Sequence, residues 1–374
     1  MPKGTLIEST STREFMSKKR RQSRKKPRQQ PSSSRHYIAS VIPGTESFAR
    51  DEIIRRTRGQ VHFLESPRDD EHRFVGGFES SVLTQLRLTQ SLHLSIPLDV
   101  KGPGTLMSEP YYKRCLTLIQ RSMALREDCA YSGLRFDAAG SNSPTFQQFG
   151  ARLSESLGVP YANNDGDLLI TVRPFASGWE LMCRVGNRPL GTRAWRKADF
   201  RGGLNAAVAS AIVESSQPER EDSFCNLMCG SGTLMIERLL RRGADRVVGV
   251  DLSPGILAKA RANVEAAGLA DRVQLIRATV EYVPLESERF DVVCADLPWG
   301  EALGDRQDNV DRYAFFLKES RRILKPGGRL LALTADPLSL RISEKQAGEG
   351  LERLEDHAFV QREIRSVCRV YRRS

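Results

Sequence analysis

From Leu204 onward, short and nearly continuous apolar runs alternate with segments of helical length, and few folds accept that rhythm. Strands buried on both faces lose the polar half of the usual alternation, so they imply a parallel sheet covered by helices on each side. The spacing predicts a helix over Ala206 to Val213, a strand over Phe224 to Met228, and a helix over Thr233 to Arg241 ended by Gly243. A strand over Val247 to Val250 and a helix over Ile256 to Ala267, ended by Gly268, follow. Strands are expected at Val273 to Ile276 and Phe290 to Ala295, then a helix over Tyr313 to Leu324 that Lys325-Pro326-Gly327-Gly328 turns into a strand over Arg329 to Thr334. Strand-like runs near Phe359 and over Val367 to Tyr371 suit an antiparallel hairpin closing the sheet.

The first half of the chain mixes its elements differently. A strand over Tyr37 to Val41 leads through Pro43-Gly44-Thr45 into a helix to Arg56, followed by strands at Gln60 to Glu65 and Arg73 to Phe78. A helix over Ser80 to Leu88, a strand over Leu92 to Val100 and a helix over Pro110 to Arg126 complete a β-α-β-β-α-β unit of ferredoxin-like kind. A strand over Gly133 to Ala138, a helix opened by Ser143-Pro144, a turn at Asn163-Asn164-Asp165-Gly166 and antiparallel strands over Leu168 to Val172 and Trp179 to Val185 extend it. The chain thus divides into a basic tail over 1–35, an α+β region over 36–175, a basic linker over 176–204 and a doubly wound α/β sheet over 205–374.

The net charge of +11 is unevenly placed. Residues 1–35 hold eleven Lys or Arg against two Glu, so the remainder of the chain is nearly balanced. Like-charge repulsion and a lack of apolar residues keep such a tail unfolded, as an arm for polyanions or as a solubilising or targeting element. No apolar run approaches the length of a membrane span, and no signal-peptide core is present. Seven cysteines without a C-x-x-C pair, and five scattered histidines, point to reduced thiols, a cytoplasmic location and no metal site.

The linker between Arg184 and Arg201 carries six Lys or Arg around Trp195. Arg193, Trp195, Arg196 and Lys197 can therefore contact phosphates and bases of RNA, or form a solvated loop whose tryptophan plugs a seam between domains.

Two motifs carry the chemistry. Cys229-Gly230-Ser231-Gly232-Thr233 follows the Phe224 strand and opens a helix, where glycines let backbone amides approach a ligand. Asp251 ends the next strand, from which a carboxylate reaches both hydroxyls of a ribose. The loop lacks the third glycine of dinucleotide folds, with Met235 in its place, which disfavours a nicotinamide.

The second motif, Asp296-Leu297-Pro298-Trp299-Gly300, leaves the Phe290 strand. An exocyclic amine on a base is a poor nucleophile because its lone pair is drawn into the ring. The Asp296 carboxylate and Leu297 carbonyl can accept its hydrogens and turn the lone pair toward a sulfonium methyl. Pro298 fixes the backbone, and Trp299 offers a stacking face. Cytosine-carbon methylation would want a cysteine nucleophile here, and the neighbours are Leu297 and Trp299.

These residues resemble the methyltransferase domain of the THUMP-containing RNA guanine-N2 methyltransferases from about residue 190 onward. Asn226 to Thr233 is similar to that family's cofactor loop, Asp296 to Gly300 to its D-x-P-[FYW]-G motif, and Gly191 to Ala207, including Asn205, to the segment leading into the domain. The resemblance implies a Rossmann-like class I methyltransferase sheet behind a ferredoxin-like and THUMP-like RNA-binding region. It implies S-adenosylmethionine as methyl donor, held by Asn226, Cys229, Gly230, Ser231, Gly232, Thr233, Asp251, Asn205 and Asp296. The family usually has Asp at Asn226 and often an acid near the adenine at Thr279; Asn226 keeps an acceptor, and Glu281 is near enough to substitute. The expected function is methylation of a guanosine N2 in tRNA. Ribosomal RNA as substrate, a noncatalytic RNA-binding scaffold and a DNA or protein amine or amide methyltransferase remain open alternatives.

Overall fold

The computed structural model describes residues 35–162, 165–199, 202–298, 306–361 and 363–374, and two seven-stranded sheets organise them. In the first sheet β1 (His36–Val41), β2 (Val61–Leu64), β3 (Glu71–Gly76) and β4 (Thr89–Leu98) stand in the order β2-β3-β1-β4. The sheet continues from β4 through β7 (Gly178–Arg184), β6 (Leu168–Phe175) and β5 (Leu134–Asp137). Residue alternation separates its faces. Tyr37, Leu94, Cys183 and Ile170 lie in register on one face, in cores shared with the helices α1 (Glu46–Arg56), α2 (Glu109–Ala124) and α3 (Pro144–Leu157). The other face carries Arg73, His93 and Arg184; Glu180 pairs with Arg73 and Glu71 with Arg173, while Arg184 donates to the Asp167, Gly186 and Asn187 carbonyls.

The second sheet is doubly wound. α4 (Ala206–Ser215) leads into β8 (Ser223–Leu227), α5 (Thr233–Arg241), β9 (Arg246–Asp251), α6 (Pro254–Ala266), β10 (Val273–Arg277) and β11 (Phe290–Asp296). Then come α7 (Arg306–Ile323), β12 (Leu324–Thr334), α8 (Pro337–Ala347), β13 (Leu351–Gln361) and β14 (Ile364–Arg373). The strand order is β10-β9-β8-β11-β12-β14-β13; the first five strands are parallel and the last two form an antiparallel hairpin. Chain direction reverses its march across the sheet at β8, so the loops after β8 and β11 flank the crevice where such sheets bind ligands.

Three expectations change. Ser80 to Leu88 forms only a 3-10 turn over Ser80–Gln85, because the backbone turns extended at Leu86 and both Leu86 and Leu88 enter the core. Lys325 to Gly328 does not precede the strand but interrupts it: β12 begins at Leu324, and its register against β11 shifts between Phe290 and Val292. α8 was not foreseen, although Asp336 caps it by accepting from the Ser339 amide and Pro337 stands in its first turn.

The two sheets share one hydrophobic core at their seam, where Val41, Ala49 and Leu88 pack with residues of the second sheet. Gly44 closes that seam. Its φ of +98° suits glycine alone, and a Cβ there would fall 1.9 Å from the Ala358 carbonyl oxygen.

Candidate active site

The glycine loop is built by local geometry. Met228, Gly230 and Gly232 all adopt positive φ, which swings the chain sharply from β8 into α5. A Cβ on Gly232 would press 3.3 Å from Cε of Met235, the residue that fills the place of the missing third glycine and also lies against Gly249. Asp251, at the end of β9, accepts from the Gly230 amide through Oδ2 and from the Ser253 amide through Oδ1, each at 3.0 Å. Its carboxylate therefore braces the loop while keeping further lone pairs for a ligand's hydroxyls. Leu252, the next residue, is 62% exposed beside it.

Asn226 lies under the loop, fully buried. Its Nδ2 donates to the Cys294 carbonyl on β11 at 3.1 Å and to the Leu227 carbonyl at 3.2 Å, while its Oδ1 has no partner among the described residues. The Cys229, Gly230 and Gly232 amides of the loop are held by the Val250 carbonyl, Asp251 and the Cys229 carbonyl, so this orphaned acceptor is the group beneath the loop that a ligand or water would suit. Cys229 is buried, and loss of hydration with the nearby Asp251 charge pushes its thiol well up, so it packs and does not act as a nucleophile.

Asp296 ends β11 next to β8, where Cys294 pairs with Asn226. Its side chain is half-buried and has no hydrogen-bond partner among the described residues. Loss of hydration alone pushes the carboxyl up to about 7. The backbone beyond is held firmly. The Leu297 amide donates to the Leu333 carbonyl at 2.8 Å, the Leu297 side chain is buried, and the Tyr313 hydroxyl from α7 donates to the Pro298 carbonyl. Tyr313 also lies 3.1 Å from the Thr334 hydroxyl and is fully buried. Sequence reasoning placed Tyr313 only at the start of a helix; its grip on the motif needed the fold. Trp299 and Gly300 lie outside the described residues, as do 1–34, Asn163, Asn164 and Arg201.

Asn205 caps α4, its side chain accepting from the Ala207 amide at 2.8 Å. Thr279 bridges to Tyr282 after β10, and Glu281 is exposed between them.

The linker corrects part of the RNA-contact expectation. Arg193 and Trp195 are buried, 8% and 5% exposed, because each serves the interior. Arg193 donates to Glu237 and to the Arg87 and Leu190 carbonyls, while Trp195 packs with Ala206, Ile236 and Val264. These partners all belong to the second sheet and its helices, so the tryptophan neither faces solvent nor fills a seam between the two sheets. Arg196 is also spent inward, on the Leu204 carbonyl and the Thr233 hydroxyl, and only the Lys197 side chain is left without an internal contact of this kind. The Lys197 amide, in contrast, is held by Asn263, which sequence reasoning passed over.

Among the described residues, no helix is long and apolar enough to cross a membrane, and no group of three or more His, Cys, Asp or Glu is arranged to hold a metal.

A sheet wound in this order, with a glycine turn after its first strand and carboxylates ending the strands on either side, defines the Rossmann-like methyltransferase class. Residues 193–349 match the family model described as RMKL-like, methyltransferase domain. The chain is 30% identical over 162 residues to the U6 snRNA (guanine-N(2))-methyltransferase THUMPD2 of Bos taurus, covering 43% of this chain and 31% of that protein. It thus spans less than a third of the length of the THUMPD2 relatives it matches. To the tRNA (guanine(6)-N2)-methyltransferase of Methanocaldococcus jannaschii it is 23% identical over 360 residues, covering 80% of this chain and 90% of that one. The crystal structure of TrmN from Thermus thermophilus superposes with a TM-score of 0.68 at 22% identity, over 91% of this chain and all of that one, which establishes the shared fold.

Proposed function

We propose that this protein transfers a methyl group from S-adenosylmethionine to the exocyclic N2 amine of a guanosine in tRNA, in the cytoplasm. The observation that carries the proposal is the Asp296 carboxylate, unpartnered among the described residues at the end of the strand beside the glycine loop. The guanine-N2 specificity in the names of the relatives supports the choice of base, and the long alignment with a tRNA enzyme supports the choice of RNA.

S-adenosylmethionine, when bound, supplies an electrophilic methyl on a sulfonium. The loop from Cys229 to Thr233 would line it, with the Ser231 and Thr233 amides left open among the described residues, Asp251 would accept from its ribose hydroxyls, and Asn226, Asn205, Thr279 and Glu281 are the further residues the family resemblance offers to it. Asp296 and the Leu297 carbonyl accept the two amine hydrogens, which directs the nitrogen lone pair at the methyl. As the N–C bond forms and the S–C bond breaks, the amine nitrogen loses one proton, and a carboxylate near pH 7 in affinity is matched to receive it. Pro298, fastened by Tyr313, holds that acceptor pair in place. Trp299 stacks on the flipped base.

Incubating the purified protein with S-adenosylmethionine and bulk tRNA, then digesting to nucleosides for mass spectrometry, tests the proposal. N2-methylguanosine is the expected product. Methylated adenosine, or no product on any RNA, would overturn the chemistry. N2-methylguanosine on U6 snRNA or ribosomal RNA but not on tRNA would keep the chemistry and replace the substrate, an arm that the THUMPD2 similarity makes necessary.

A further inference from the structure

Asn263, on α6, has a fully buried side chain whose two polar atoms each make two hydrogen bonds. Oδ1 accepts from the Lys197 amide at 2.8 Å and the Ala198 amide at 2.9 Å. Nδ2 donates to the Ala198 carbonyl at 2.7 Å and to the Ser231 carbonyl at 3.0 Å. The partners fix the amide's orientation, since a flip would set oxygen against two carbonyls and nitrogen against two N–H groups. No other residue type of this length both accepts and donates twice.

What these bonds join matters more than their number. Ser231 stands between Gly230 and Gly232, whose φ values of 55° and 87° leave the loop no side-chain restraint of its own. Asp251 braces the Gly230 amide from the β9 side, and Asn263 holds the Ser231 carbonyl from the α6 side. The same asparagine seats the strap of residues 193–199, whose start Arg193 fastens to Glu237 on α5 and to the Arg87 carbonyl before β4, and whose Trp195 packs on Val264 of the same helix as Asn263. Arg196 ties the strap a second time, to Thr233 at the first turn of α5.

We propose that Asn263 is a positioning residue that sets the strap and the glycine loop in one fixed relation and thereby shapes the methyl-donor site. The inference rests on the loop being that site. Its role is in binding, so it acts on cofactor affinity and leaves the chemical step alone.

Calorimetry with S-adenosylmethionine on wild type, Asn263→Ala and Asn263→Asp, beside Ser343→Ala, separates the possibilities. Ser343 is a fully buried hydroxyl donating to the Val310 and Ser339 carbonyls, far along the chain from the loop, and controls for losing any buried polar contact. Both Asn263 variants should bind about tenfold more weakly or worse, with KM for the donor raised in proportion and kcat at saturation kept within about threefold. Ser343→Ala should bind as wild type. Hydrogen exchange in the ligand-free protein should quicken at the Lys197 and Ala198 amides in Asn263→Ala. Wild-type affinity in both Asn263 variants, or an equal loss in Ser343→Ala, would overturn the inference. Wild type failing to bind the donor would instead remove the cofactor site on which it rests.

Discussion

Arg87 and Glu237 meet in a two-point ion pair, Nε to Oε2 and Nη2 to Oε1 at 2.7 Å each, that fastens the segment before β4 to the helix opening at the glycine loop. Glu237 is fully buried and also accepts from Arg193 at 2.9 Å and from the Ser210 hydroxyl, so both oxygens are filled. Burial works to raise its carboxyl, and the Arg193 and Arg87 guanidiniums outweigh it, holding the group below its usual range.

Breaking this hub by Glu237→Ala leaves two cations without their partner, and should lower stability by about 3–5 kcal/mol in urea unfolding at pH 7. A folded-state carboxyl held low contributes stability above the ordinary carboxylate range and loses it as pH falls through the folded value. The gap between wild type and Glu237→Gln should accordingly narrow in acid. A loss under about 1 kcal/mol at pH 7 would mean the hub is idle.

How much of this was legible in the chain follows from the range of each interaction. The doubly wound sheet could be read because solid apolar strands and glycine-ended helices are local signals, and the loop-to-Asp251 spacing locates the crevice. Glu237 could not be found: nothing in the line of residues couples position 87 to 237, and a glutamate on a helix reads as a solvated charge. Arg193 and Trp195 were ambiguous for the same reason, since an arginine beside an indole suits a phosphate or a buried glutamate equally. Asn263 sits on a helix as an unremarkable polar residue until the strap is folded over it. The α8 cap, by contrast, was present in Asp336-Pro337 and went unread.

Asp251→Ala should weaken S-adenosylmethionine binding by about 1.5–3 kcal/mol, since hydrogen bonds to a charged carboxylate are worth that much. The structure adds a second cost, because the same carboxylate holds the Gly230 and Ser253 amides. Asp251→Asn can keep one of those bonds and should fall between wild type and Asp251→Ala in calorimetry. Unchanged affinity in both variants would take Asp251 out of the ribose site.

The first 34 residues hold ten Lys or Arg against two Glu. Cutting them away should weaken RNA binding and flatten its salt dependence, because the slope counts counterions released from phosphates. Cofactor affinity should not change. Filter binding across a salt series reads the slope, and an unaltered slope would make the segment something other than an RNA arm.

Asp296 offers the sharpest test, because its protonation and its role are linked. Only the ionised carboxylate can accept the amine hydrogens, and burial sets its carboxyl at about 7. Single-turnover methylation should therefore rise through neutral pH and level off above it, while Asp296→Ala should lose about a hundredfold or more in rate on that plateau, as removal of one preorganised polar partner does, with the gap narrowing in acid as the wild-type carboxylate takes up its proton. Stability should move the other way. A carboxyl raised in the folded state stabilises below its unfolded value and loses that contribution as pH climbs toward the folded one, so Asp296→Asn should melt a few degrees above wild type at pH 8 and not at pH 4. A variant that is more stable at pH 8 and nearly inactive is the signature of a charge kept for chemistry at the expense of the fold; a fully active Asp296→Ala protein would reduce the motif to a turn.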